Sequence, residues 1–221
     1  MPPPVLIVAS TRAHADTREI LRIQDTSSAL LAEGRMVDLL APRTSPLLKS
    51  VLNPSVRVFT VPRIVPFTDN PPRRPSLRRF LTGVLMFLRG VALAARRGYG
   101  MLHGVNDGAM VACAISRFAT AGRTPLIAEM HRPFFKSGMF RSPRTAIARF
   151  EELRALRRAA AIIVPDDRTF KRFGHHIPRS RVAIIPDPHV ELVPDAFTYG
   201  EFADALKRAY EYVHLTKEHD T

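Results

Sequence analysis

Five short clusters in this 221-residue sequence carry side chains suited to binding or proton transfer: Ser10–Arg12, Asn106–Asp107, Glu129–Arg132, Pro165–Asp167 and Pro186–His189. Each follows an apolar run with the length and composition of a buried strand. His131 offers the most chemistry. It stands between Met130 and Arg132, with Glu129 two positions back and therefore on the same strand face. An imidazole there can hydrogen-bond a sugar hydroxyl or a phosphate, and Arg132 can add charge toward an anionic group. The plainer reading is a histidine satisfied by backbone at a strand end. Ser10, Thr11, Arg12, Asn106, Asp107 and Asp187 are the other polar residues at such ends.

Several chemistries are excluded by what these clusters lack. The turn after the first run reads Ala9-Ser10-Thr11-Arg12-Ala13-His14, without the glycines that let a backbone crowd a dinucleotide pyrophosphate. There is no Walker A loop and no G-x-S-x-G elbow. The lone Cys113 rules out an internal disulfide and a cysteine-based zinc site, and its apolar surroundings mark it as a buried, inert thiol. His175-His176 is a poor metal pair, because adjacent side chains face apart on a helix or strand. No metal and no cofactor is expected.

The elements that must position these residues alternate between short β-branched runs and longer helical patterns, as in βαβ units. Strands are expected at Val5–Ala9, Met36–Ala41, Val56–Val61, Met101–Val105, Pro125–His131, Ala160–Val164 and Arg181–Ile185. Helices are expected from Asp16 to Glu33, Leu77–Arg97, Gly108–Ala121, Pro143–Arg158, a short turn from Asp166 to Phe173, and Thr198–Val213. Thr198 and Glu201 have the spacing of a capping box. Pro62–Ser76 is too proline-rich for helix or central strand. In Leu77–Arg97 the rhythm of Leu77, Phe80, Leu81, Val84, Leu85, Leu88, Val91, Ala92 and Ala95 predicts the buried face. Arg78, Arg89 and Arg96 fall within about 20° of one line on another face. The fold class is α/β: one Rossmann-like domain, a mostly parallel sheet of about seven strands, helices on both faces, and a C-terminal helix packing back. Residues 1–190 form the domain, and 191–221 a linker and that helix.

The formal net charge is +13 and the pI about 11.0, which favours phosphate-rich partners or anionic lipid. Arginine scattered over a solvated surface is the alternative. No secretory signal is visible at Met1–Val8, and Phe80–Ala95 is too short and too charged at Arg89 to span a bilayer. A cytoplasmic protein is expected, with peripheral contact at the inner membrane face open to Arg78, Arg89 and Arg96. Nucleic acid is a poor partner: aromatic residues are 8% and tryptophan is absent.

Several segments in order resemble the N-terminal domain of GT-B glycosyltransferases of family 4. Asp16-Thr17-Arg18-Glu19-Ile20-Leu21, followed by Ala32-Glu33-Gly34-Arg35-Met36-Val37, is similar to the family's first helix and its exit into strand two. Leu126-Ile127-Ala128-Glu129-Met130-His131 resembles the strand ending in the family's cleft histidine, and Ala160–Pro165 and Arg181–Pro188 are similar to the next two strands. The resemblance implies that His131 is catalytic and lines the cleft near the transferred sugar. It also implies that Ser10, Thr11, Arg12, Asp16, Arg18, Asn106, Asp107, Glu129, Arg132 and Asp187 border the substrate. The family's donor-binding second domain and its glutamate pair are not matched, since no two glutamates are eight positions apart. The resemblance therefore implies an acceptor-binding half, supplied with a nucleotide-sugar by a separate donor-binding partner and acting on a sugar or lipid-linked acceptor. A non-catalytic sugar- or protein-binding relic is the other reading.

Overall fold

The structure, a computed structural model, describes residues 2–9, 17–42, 51–62, 77–131, 143–172, 176–188 and 198–219. Seven strands are expected and seven are found: β1 (Val5–Val8), β2 (Val37–Pro42), β3 (Arg57–Val61), β4 (Met101–Val105), β5 (Leu126–Glu129), β6 (Ala161–Val164) and β7 (Val182–Ile184). They form one sheet in the order β3-β2-β1-β4-β5-β6-β7, and every pairing is parallel. Val5 stands beside Val37 on one side and Met101 on the other, and Val8 beside Leu40 and Gly104. The order reverses between β1 and β4, which in such sheets opens a crevice at the carboxyl ends of the strands.

Among the described residues six helices with full ranges cover the two faces: α1 (Thr17–Ala32), α2 (Leu77–Arg97), α3 (Gly108–Thr120), α4 (Pro143–Arg158), α5 (Asp167–Lys171) and α6 (Tyr199–His219). On one face, Ile20, Ile23 and Leu30 of α1 and Phe202, Leu206 and Tyr210 of α6 bury against Val5, Ile7, Leu39, Ile127 and Ile163. On the other, Met86, Ala112, Ile115 and Leu156 from α2, α3 and α4 bury against Leu6, Val8, Leu40, Leu102 and Ile162. This explains why the central strands are apolar without alternation: both sides of each strand are covered.

Caps set several helix limits. Asp166 Oδ1 accepts from the Thr169 amide at 2.6 Å and starts α5. In α6, Glu201 Oε2 accepts from the Thr198 amide at 2.7 Å, and Thr198 Oγ1 accepts from the Glu201 amide at 3.3 Å, completing the capping box. That helix continues past the expected Val213 to His219. α5 ends at Lys171, short of the expected Phe173, which lies outside the described residues. Arg181 closes a 3-10 turn instead of starting β7.

The expected buried face of α2 is corrected. Thr82, Met86, Gly90, Leu93 and Ala94 face the sheet, while Phe80, Leu81, Leu88, Ala92 and Ala95 are exposed. At about 100° per residue the two sets lie nearly opposite each other. The reason is packing distance. A Cβ on Gly90 would fall inside the Ile115 side chain of α3, so the side of α2 that carries Gly90 is the one that can approach that closely.

Candidate functional site

Side chains converge where β4 and β5 end, beside the switch point. Asn106, just past β4, adopts the left-handed region with φ of 50°, which asparagine tolerates better than most residues. Its amide N–H donates to the Glu129 carbonyl at 2.7 Å, and its Nδ2 donates to Glu19 Oε2 of α1 at 3.1 Å. Its Oδ1 accepts from the His131 amide at 2.9 Å. That bond draws the chain out of the ladder, so β5 stops at Glu129 instead of reaching His131 as expected. Gly108 lets the start of α3 sit on β1: a Cβ there would collide with the Val8 carbonyl oxygen.

Behind this edge lies a fully buried carboxylate. Glu129 Oε1 takes Arg22 Nε at 2.5 Å and His131 Nε2 at 2.9 Å, and Oε2 takes His103 Nε2 at 2.9 Å. Arg22, also buried, donates through its other two nitrogens to the carbonyls of Pro186 at 2.9 Å and Ile185 at 3.3 Å. Its guanidinium lies 4.2 Å from the centre of the Phe202 ring on α6. His103 Nδ1 meets the Tyr210 hydroxyl at 2.6 Å. The chain Tyr210–His103–Glu129–His131 thus runs from the C-terminal helix, through two strands, to the carboxyl edge of the sheet.

The protonation pattern follows from the surroundings. Burial alone would raise the Glu129 carboxyl, but the Arg22 charge and hydrogen bonds from His103 and His131 outweigh it and hold Glu129 well below its ordinary range. Burial, reinforced by the Glu129 charge, pushes the Tyr210 phenol well above its usual value. Tyr210 therefore keeps its proton and donates it to His103 Nδ1, leaving His103 Nε2–H for Glu129. His131 likewise donates from Nε2, which directs its Nδ1 away from the carboxylate. Among the described residues Nδ1 has no partner, and the side chain is 17% exposed. One imidazole face is thus oriented by a carboxylate while the other nitrogen can accept from a ligand hydroxyl.

The expected site residues are brought together only in part. His131 lies just past the carboxyl end of β5 with its side chain partly exposed. Glu129, expected to border a substrate, has no exposed surface, because both its oxygens are taken up inside; its part is to orient His131. Asn106 is buried and clamps the loops, Asp107 is buried at the start of α3, and Asp187 is half-buried after the Pro186 carbonyl that Arg22 holds. Ser10, Thr11, Arg12, Asp16 and Arg132 lie outside the described residues, as does the side chain of Arg18. The side chain of Arg78 is also outside them, while Arg89 and Arg96 are exposed on α2. Among the described residues no group of three or more His, Cys, Asp or Glu could hold a metal ion. Arg22, His103 and Tyr210 were missed. A signal for the network did exist: His103 and Glu129 interrupt strands otherwise made of apolar residues and glycine, and a buried polar or charged group requires a partner.

The all-parallel sheet in this order, covered by helices on both faces, defines the class as a Rossmann-like α/β domain. The sequence profile of the glycosyl transferase 4-like domain matches residues 21–188, and the chain belongs to that family. A unit of sucrose-phosphate synthase from Thermosynechococcus elongatus, assembled from two segments of its chain, superposes with a TM-score of 0.60 at 17% identity, covering 97% of this chain and 99% of that unit. Anabaena HepE, in complex with UDP and glucose, superposes at 0.57 and 14% identity over 84% of this chain and 44% of its own. Acinetobacter baumannii MurG gives 0.53 at 13% identity over 87% of this chain and 47% of its own. The chain spans about half the length of those two proteins. No curated protein matches its sequence.

Proposed function

We propose that this chain is the acceptor-binding side of a GT-B sugar transferase, supplied with a nucleotide-sugar by a donor-binding partner chain. The observation that carries the reading is His131, held by Glu129 through Nε2 at 2.9 Å, its other nitrogen without a partner among the described residues at the carboxyl edge of the sheet. Nδ1 accepts a hydrogen bond from a sugar hydroxyl and fixes its position against the donor carbon. In the transfer, the acceptor oxygen bonds to the sugar carbon as the bond from that carbon to the nucleoside diphosphate breaks. Positive charge arising on the imidazole is stabilised by Glu129, whose carboxylate stays ionised. The HepE complex with UDP and glucose supports nucleotide-sugar chemistry for this fold.

The test is ligand-induced thermal shift on the 221-residue chain, with UDP- and GDP-sugars and with sugar acceptors, each repeated with a candidate donor-binding partner. The expected result is stabilisation by an acceptor sugar that His131→Ala abolishes, and sugar transfer only when the partner is present. Stabilisation of the lone chain by a nucleotide-sugar would overturn the acceptor-side assignment.

A further inference from the structure

From the orientation of α2 we infer that the outer surface of the α2–α3–α4 layer docks on an anionic lipid bilayer. The surface is distinct from the His131 cleft, and the inference stands whether or not the sugar-transfer reading does. Five bulky apolar residues of this layer point outward. Phe80 and Leu88 of α2, Phe118 of α3, and Ile147 and Phe150 of α4 are each 57–67% exposed. Leu81, Leu88 and Ala95 follow one another at seven-residue intervals along the exposed side, drifting by only about 20° per interval. Arg89 and Arg96, both exposed, flank that line. At about 1.5 Å per residue, Phe80 to Arg96 present this pattern over about 24 Å.

Charge identifies the occupant. The spans of α2, α3 and α4 hold eleven arginines and two glutamates. Those of α1 and α6, on the opposite face, hold five lysines and arginines against six carboxylates. The molecule is therefore basic on one helical layer and near neutral on the other. An apolar strip edged by arginine matches a surface with acyl chains beneath anionic headgroups. Nucleic acid would match the charge but leave Phe80, Leu81 and Leu88 without apolar partners. A second copy of the same face would oppose like charges. Among the described residues no helix is long and apolar enough to cross a membrane, so the contact is interfacial. α2 and α4 each start at the carboxyl edge of the sheet, so Phe80 and Ile147 sit toward the edge that carries His131.

The experiment is co-sedimentation of the full chain with phosphatidylcholine vesicles, with and without phosphatidylglycerol, alongside thermal unfolding of each variant. The wild type is expected to bind only the phosphatidylglycerol-containing vesicles, and less tightly as salt rises. Arg89→Glu with Arg96→Glu should weaken binding by at least about 25-fold, at about fivefold per lost cation. Phe80→Ser with Leu88→Ser should abolish binding and leave the unfolding temperature within about 2 °C, as for exposed positions. Failure of the wild type to bind anionic vesicles overturns the inference, as does binding that both variants leave unchanged. A fall of more than about 5 °C in the serine variant would mean that another segment of the chain covers the strip. Self-association of the wild type that the serine variant loses would make the face a dimer contact.

Discussion

At the scale of single residues, the buried group Arg22, Glu129, His103 and Tyr210 makes a positioning device out of strong electrostatics. Its members satisfy one another, so removing one leaves an uncompensated polar group. Arg22→Ala should destabilise the fold by about 3–5 kcal/mol in urea unfolding, because it strands the Glu129 carboxylate in the core. Tyr210→Phe removes only the donor to His103 and should cost about 1–3 kcal/mol. The low position of the Glu129 carboxyl sets a pH dependence. Its stabilising effect is complete above the unfolded carboxyl's value of 4.5 and is lost as pH falls from there toward the lower folded-state value. Urea midpoints measured downward from pH 6 should therefore drop below about pH 4.5. Glu129→Gln, though less stable at neutral pH, should show a shallower drop.

At the scale of elements, the C-terminal helix α6 is part of the site's support. Phe202 stacks beneath Arg22 and Tyr210 closes on His103, so α6 fixes both ends of the network although it is far from β5 in sequence. Phe202→Ala should cost about 3–5 kcal/mol, through the cavity and the lost guanidinium contact. Thr198→Ala, which removes the cap at the exposed start of the same helix, should cost about 1 kcal/mol and leave the site intact. Thermal unfolding monitored by far-UV circular dichroism separates the two. For α2 the lesson is different. Its apolar periodicity was plain in the sequence, yet the side that packs is the one carrying Gly90 and Ala94.

At the scale of the whole molecule, two helical layers of unequal charge cover one parallel sheet, and His131 stands at its carboxyl edge beside the point where the strand order reverses. Cation exchange should reflect this asymmetry: Arg89→Glu with Arg96→Glu should elute at lower salt than substitutions of equal charge at Lys207 and Arg208 on α6, because charges clustered on one face bind a resin cooperatively. Equal elution of the two double variants would contradict a single basic layer.

The strands, the capped helices and the place of His131 at the end of a strand were legible in the sequence because they depend on local properties: β-branched apolar runs, cap spacing, and polar residues just past a strand. The resemblance to the family rested on the same short segments. The partners of Glu129 were not legible, since Arg22 and Tyr210 are separated from it by 107 and 81 positions and meet it only when α1 and α6 fold onto one face of the sheet. Nor was the direction of α2. Periodicity measures how apolar a helix face is, but which face is buried depends on how closely the neighbouring layer allows it to approach. In that contact, tight packing of Gly90 against Ile115 outweighed the larger apolar surface left outside.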